Sequence, residues 1–213
     1  MELKILKEAV CINKTIYEGM VEQAVDSDVT LPDYCPDILR ILKCTMTPRI
    51  TASQTAGDRI TVDGSTLLRA IYVTENGKVH CYEQSIPFSK FVDEKGLDTN
   101  PCVYVRAKTE YINCRAVSPR RLDIHGAVSL SIKVVAKHTQ DIMSNAQGAG
   151  IQTLQKNIEL SSVIGNSGRA FPLTDVVEIG AGQPPMSQII RTNAFAAVNE
   201  IKIISNKAMI KGD

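Results

Sequence analysis

The feature that most restricts the fold of this chain is a proline-bounded stretch at residues 31–42, with the sequence Leu-Pro-Asp-Tyr-Cys-Pro-Asp-Ile-Leu-Arg-Ile-Leu. Pro32 and Pro36 fix φ at about −65° and push the residue before each of them towards an extended conformation. Asp37 suits the positive N-terminal end of a helix that begins at Pro36. The apolar residues that follow have the i, i+3, i+4 spacing of a buried helical face and comprise Ile38, Leu39, Ile41 and Leu42. The stretch therefore predicts a rigid elbow and a short capping helix near residues 36–43, with a loop that enters a strand at Ile38 as the alternative.

The rest of the first 137 residues has patterns typical of β-strands. Residues 3–30 predict two strands separated by a turn at 17–19, and residues 44–52 alternate with period two around Pro48, which indicates an edge strand or a bulge. Asn76-Gly77 lies between two strand-like runs and is a strong signal for a β-hairpin. These patterns predict a mostly β fold, an antiparallel β-sandwich or flattened barrel.

Two further strand-like segments, 103–115 and 121–137, follow a polar loop at residues 93–101. The apolar pattern of the second segment shifts phase near Gly126, which indicates a β-bulge there.

The apolar pattern of residues 1–65 returns in residues 149–213. With an offset of 148 residues, Pro36 corresponds to Pro184, and Gly64 corresponds to Gly212. The correspondence predicts a tandem repeat: a first β-domain at 1–137, a linker at 138–150, and an incomplete second copy at 151–213. The second copy either begins a longer tandem protein or packs on the first.

Composition argues against several classes of function. The net charge is +1 and the chain has no Trp, so we expect neither nucleic-acid binding nor an aromatic stacking platform. The first residues lack the apolar core of a signal peptide, and no stretch approaches the roughly eighteen apolar residues of a membrane-spanning helix. The six cysteines include no Cys-x-x-Cys pair, which favours free thiols in a cytosolic protein.

No motif predicts an active site. His80 and Cys81 are adjacent in a predicted strand, so their side chains point to opposite faces. Residues 165–168, Gly-Asn-Ser-Gly, lack the spacing of a nucleophile elbow, and Asp33 with Asp37 supplies too few oxygen ligands for calcium. We therefore expect a protein that is not an enzyme and uses no cofactor or metal.

Several motifs considered together resemble the SPOCS domain, a former domain of unknown function found in SipL-type spore-coat morphogenetic proteins. They are Leu31-Pro32, Pro36-Asp37-Ile38, Arg40-Ile41-Leu42, Val62-Asp-Gly64, Ile71-Tyr-Val73, Ile86-Pro-Phe88 and Ser118-Pro-Arg-Arg-Leu-Asp-Ile124. The resemblance implies a non-enzymatic scaffold for protein–protein interaction in spore-coat assembly, located in the mother-cell cytosol at the forespore surface. It also implies other coat morphogenetic proteins as partners. In this family, stage IV sporulation protein A is bound through a LysM module, which these 213 residues do not contain.

The candidate interface residues belong to the elbow and to a basic cluster, and comprise Leu31, Pro32, Pro36, Asp37, Ile38, Ile41, Leu42, Arg115, Arg120 and Arg121. The three arginines suit either a carboxylate-rich partner surface or a solvated turn. Exposed sheet edges would allow self-association. A second candidate function is a ligand-binding β-module for cell-wall glycan, which requires three tyrosines to line one groove. The candidates for that groove are Tyr34, Tyr72, Tyr82, Tyr104 and Tyr111.

Overall fold

The computed structural model describes residues 3–97, 101–160, 172–186 and 188–213, in which β-strands dominate. The strands are β1 (Lys4–Thr30), β2 (Arg40–Ala56), β3 (Arg59–Val73), β4 (Val79–Asp93), β5 (Cys102–Ser118), β6 (Arg121–Gln147), β7 (Val198–Ile204) and β8 (Lys207–Gly212).

Two three-stranded antiparallel sheets form a sandwich-like body, with strand orders β1-β6-β5 and β2-β3-β4. Buried and half-buried residues alternate along β3, and every second residue from Ile60 to Tyr72 is buried. One face of β3 therefore packs in the core between the two sheets. The facing side chains of β6, including Leu122, Ile124 and Leu130, are fully buried against them. The predicted mostly β, antiparallel fold is therefore confirmed.

The predicted capping helix near residues 36–43 is wrong, because none of the described residues is helical and β2 begins at Arg40. The backbone N–H groups of this stretch bind other segments: Ile38 N donates to Pro119 O at 2.7 Å and Leu39 N donates to Val73 O at 2.8 Å. These cross-chain bonds replace the i to i−4 bonds that a helix would need. The alternative, a loop that leads into a strand, describes the structure better.

Several details of the β pattern are confirmed. Pro48 lies in β2, an outer strand of its sheet. The hairpin turn at Asn76-Gly77 joins β3 to β4, and Gly77 has a φ of 75°. The bulge predicted in β6 beside Gly126 is wrong, because every second residue of β6 from Leu122 to Val134 is buried without a change of phase. The register shift lies in the neighbouring β5, between Thr109 and Tyr111.

Two segments are more continuous than the sequence predicts. Residues 3–30 contain a single strand with a register shift between Thr15 and Tyr17, in place of two strands and a turn. Residues 138–147, predicted as a linker, are the end of β6 and pair with the start of β1, from Lys4 paired with Gln147 onwards. The polar residues of this segment suit a strand with solvent on both faces.

Residues 4–14 and 136–147 form a two-stranded ribbon, here called the β-arm, because β5 begins only opposite Val135. Most side chains of the β-arm are exposed. At about 3.3 Å per residue, the β-arm is roughly 35 Å long.

The tandem repeat is not confirmed over residues 151–190. The described residues there form no strand, whereas the corresponding residues 3–42 contain β1. The hairpin β7–β8 does fit the repeat: with the offset of 148, its turn at Ser205-Asn206 corresponds to Gly57-Asp58 between β2 and β3. The repeat stays a prediction with this agreement in its favour.

Candidate functional site

The elbow comprises residues 31–39 and closes the end of the sandwich where β1 leads into β2. Its two ends are fixed to the β5–β6 turn, since Leu31 N donates to Arg120 O at 2.8 Å and Ile38 N donates to Pro119 O. Between them, Cys35 N donates to Pro32 O at 2.9 Å and makes a tight turn. The elbow is therefore a defined loop rather than a loose connection.

Arg120 holds the elbow from within through its guanidinium group. Nη1 donates to Cys35 O at 3.3 Å and to Asp37 Oδ1 at 2.9 Å. Nη2 donates to Leu31 O at 3.3 Å and to Pro32 O at 2.9 Å. The planar fork of an arginine can serve several acceptors at once, so a single side chain satisfies three carbonyls of the turn.

The inner side of the elbow is apolar. Leu31 and Ile38 are buried, at 2% and 6% exposure, in a cluster with Val29, Leu68, Ala70, Tyr72, Leu122 and Ile124. The Tyr72 hydroxyl donates to Pro36 O at 3.1 Å. Burial raises the pKa of Tyr72 to about 12, so the hydroxyl remains a donor at neutral pH. The elbow is thus anchored by both packing and hydrogen bonds.

The outer side of the elbow presents the exposed side chains of Asp33, Tyr34, Asp37 and Leu39, here called the elbow surface. Tyr34 is 84% exposed and Leu39 is 62% exposed. Of the predicted apolar residues after the elbow, Ile41 packs partly against the core, and Leu42 is 47% exposed.

The basic residues predicted at the β5–β6 turn each face a carboxylate of this chain. Arg115 pairs with Asp123 at 3.4 Å, Arg121 pairs with Asp28, and Arg120 lies 3.5 Å from Asp33 as well as contacting Asp37. The sequence does not reveal that Arg120 donates to the carbonyls of the elbow, because a run of basic residues indicates charge but not the direction of each side chain.

Three of the five tyrosines proposed for a glycan groove lie near one another: Tyr72 and Tyr82 pack in one apolar cluster, and Tyr34 is close enough to Tyr82 to add to the rise in its pKa that burial causes. They do not line an open groove, because Tyr72 is buried. Tyr104 and Tyr111 lie on β5, in the other sheet. Two shallow clefts among the described residues, of about 390 and 330 Å³, include none of these tyrosines in their lining. The larger is lined by Ser53, Gln54, Thr55, Pro101 and Val103.

His80 and His125 each contact side chains of this chain. The His80 ring stacks on that of Tyr72, with 6.0 Å between ring centroids. His125 Nδ1 is 2.8 Å from Asp26 and Nε2 is 3.1 Å from Asp123, and these carboxylates raise the pKa of His125. Within residues 3–97, 101–160, 172–186 and 188–213, no group of three or more His, Cys, Asp or Glu side chains is arranged to hold a metal. Residues 165–168 lie outside the described residues.

The protein is an antiparallel β-body whose end is closed by a loop that Arg120 stabilises. Residues 37–117 match the family model described as SipL, SPOCS domain. The match begins within the elbow and covers less than half of the 213 residues. It confirms the expected SPOCS resemblance over this segment and links the protein to sporulation.

No curated protein and no solved structure matches the chain. In the part of the chain that the structure describes, no helix is long and apolar enough to cross a membrane.

Proposed function

We propose that this protein is a non-enzymatic scaffold in spore-coat assembly that binds another coat morphogenetic protein through the elbow surface. It acts in the mother-cell cytosol at the surface of the forespore. The proposal is supported by the SPOCS match, which includes part of the elbow, and by the exposed residues that the elbow presents.

The observation that carries the proposal is the contrast between the two sides of the elbow. The inner side is held by Arg120 and by the buried Leu31 and Ile38, while the outer side leaves Tyr34 in solvent. Tyrosines are enriched among the residues that dominate protein interfaces. Because the loop is already ordered, binding would not pay the entropy of fixing it.

The charge of the elbow surface indicates the chemistry of its partner. Asp33 and Asp37 lie on either side of Tyr34 in the sequence and are exposed, and the single positive charge of Arg120, which contacts both, leaves the group with a net negative charge. A complementary partner would offer a pocket for an aromatic ring beside lysine or arginine side chains.

The test compares Tyr34→Ala with Tyr104→Ala, an exposed tyrosine on β5 that serves as the matched control. Purified protein is titrated against individually purified coat morphogenetic proteins, and the Kd is measured by calorimetry. For the true partner we expect Tyr34→Ala to weaken binding by about tenfold or more, with little effect from Tyr104→Ala. Equal effects of the two substitutions would place the contact elsewhere.

Localisation provides a separate test in sporulating cells. A fluorescent fusion of the protein is expected to form a ring around the forespore, and Tyr34→Ala is expected to disperse it at unchanged protein level. A diffuse signal from the unsubstituted fusion would contradict a role at the forespore surface.

The sheet edges offer a second contact, through self-association. β1 and β4 are outer strands of different sheets, and among the described residues no strand pairs with their outer edges, which can accept another strand. Sedimentation over a range of protein concentrations tests this, and a monomer throughout would exclude it.

A further inference from the structure

Two cysteines lie where the two sheets of the body meet. Cys44 is on β2 and Cys114 is on β5, and these are outer strands of different sheets. Both side chains are half-buried and pack against the core cluster that contains Leu68 and Leu122. β2 and β5 are in contact along this junction, and each thiol is the neighbour that most strongly shifts the pKa of the other.

The surrounding contacts keep β2 and β5 close together. Thr109 Oγ1 donates to Met46 O at 2.7 Å, which joins the two strands near the cysteines. On the β6 side, a Cβ added at Gly126 would lie 2.9 Å from Tyr111 O and 3.0 Å from Met46 Cε. The pair therefore lies in a closely packed junction between the sheets.

We propose that Cys44 and Cys114 form a disulfide when the protein meets a low-molecular-weight disulfide oxidant such as oxidised glutathione, and that this bond joins the two sheets covalently. Both cysteines contact the cluster that contains Leu31 and Ile38 on the inner side of the elbow, whereas no residue of the elbow surface belongs to this site.

The chemistry follows thiol–disulfide exchange. The neighbouring Cys44 thiol lowers the pKa of Cys114, so Cys114 is the thiol that ionises first. The neighbouring Cys114 thiol, together with burial, raises the pKa of Cys44. The Cys114 thiolate attacks one sulfur of oxidised glutathione and releases a glutathione thiolate. Cys44 then gives its proton to solvent and attacks the Cys114 sulfur, releasing the second glutathione.

The exchange balances because two protein thiols are oxidised while one glutathione disulfide is reduced to two thiols. The bond would restrict the unfolded chain between two distant positions, which is the usual source of disulfide stabilisation. It would also prevent β2 from separating from β5.

Peptide mapping tests the proposal directly, because trypsin places each of the six cysteines in a separate peptide. The unsubstituted protein is incubated with oxidised glutathione, blocked with iodoacetamide under denaturing conditions, and digested without reduction. We expect peptide 44–49 linked to peptide 109–115, and we expect dithiothreitol to separate them. Recovery of the two peptides only as alkylated or glutathione-capped species from folded protein would overturn the proposal.

A stability measurement provides the second readout. Oxidation is expected to raise the Tm by several degrees in the unsubstituted protein and in Cys11→Ser, whose cysteine lies exposed on the β-arm. Cys44→Ser and Cys114→Ser are expected to lose both the linked peptide and the Tm increase. An increase that persists in both variants would show that another group is responsible.

Discussion

Arg120 stabilises the elbow mainly through backbone carbonyls, so its role depends on the shape of the guanidinium group and not only on its charge. The acceptors are the carbonyls of Leu31, Pro32 and Cys35, with the Asp37 carboxylate beside them. The residue order Ser-Pro-Arg-Arg predicts a basic turn but cannot indicate which arginine points inward. That choice depends on the elbow, distant in the sequence, whose carbonyls accept hydrogen bonds from Arg120.

Replacing Arg120 by Ala should lower the free energy of unfolding by about 2–3 kcal/mol, because three carbonyls lose their donor. Arg121→Ala is the matched control, since Arg121 makes an exposed ion pair with Asp28 that is worth about 0–1 kcal/mol. Urea unfolding measures both values. Similar losses in the two variants would show that Arg120 contributes no more than a surface charge.

His125 should make stability depend on pH, because its pKa in the folded protein is raised above 6.5, first by the hydrogen bond to Asp26 and then by the charge of Asp123. The stabilising contribution is fully present below about pH 6.5 and is lost as the pH rises through the folded-state pKa. NMR titration of the imidazole should give that higher pKa, and His125→Gln should remove this part of the pH dependence. An imidazole that titrates at or below 6.5 would contradict the geometry.

At the scale of elements, period-two patterns identify strands but not where a strand stops. β3 alternates cleanly between buried and half-buried residues, and its position and hairpin turn can be predicted from sequence. The end of β6 has mixed polar residues because both faces of the β-arm meet solvent, so it has no alternating signal to detect. The elbow has the spacing of a helix, yet the backbone bonds to Pro119 and Val73 decide its conformation.

Gly64 shows why one residue of the Val-Asp-Gly motif is restricted to glycine. A Cβ at this position would lie 2.7 Å from Arg49 O of β2 and 2.5 Å from the Phe88 ring of β4. The register of β2 against β3 shifts between Ile50 and Ala52, next to this close approach. The Arg49 carbonyl of β2 and the Phe88 ring of β4 together leave no room for a side chain.

Gly64→Ala should therefore destabilise the body by about 1–3 kcal/mol. Gly180→Ala is the control, because no described atom beyond its chain neighbours lies within 4 Å of its added Cβ, and its φ is not positive. It should change stability by less than about 0.5 kcal/mol. Thermal unfolding measures both, and a neutral Gly64→Ala would mean that β2 can shift away without cost.

At the scale of the whole molecule, the body and the β-arm differ in the interactions that stabilise them. The body packs two sheets around buried residues of β3 and β6, whereas the β-arm is a two-stranded ribbon whose side chains are mostly exposed. An isolated two-stranded ribbon is only marginally stable in water. We therefore infer that the β-arm opens more readily than the body.

Hydrogen–deuterium exchange should reveal this difference. Amides in residues 4–14 and 136–147 are expected to exchange at least about tenfold faster than those of β3 and of residues 122–134. Uniform protection along the full length of β6 would contradict the inference and show that the β-arm is covered in solution.

The pairing of Lys4 with Gln147 has a consequence for how such a unit would sit among its neighbours. The chain enters and leaves the 144-residue unit side by side, at the tip of the β-arm, while the elbow lies at the opposite end of β1. If further units preceded and followed it in a chain, this unit would be connected to them only through the tip of the β-arm. Its elbow would then lie the full length of the 27-residue strand β1 away from those connections.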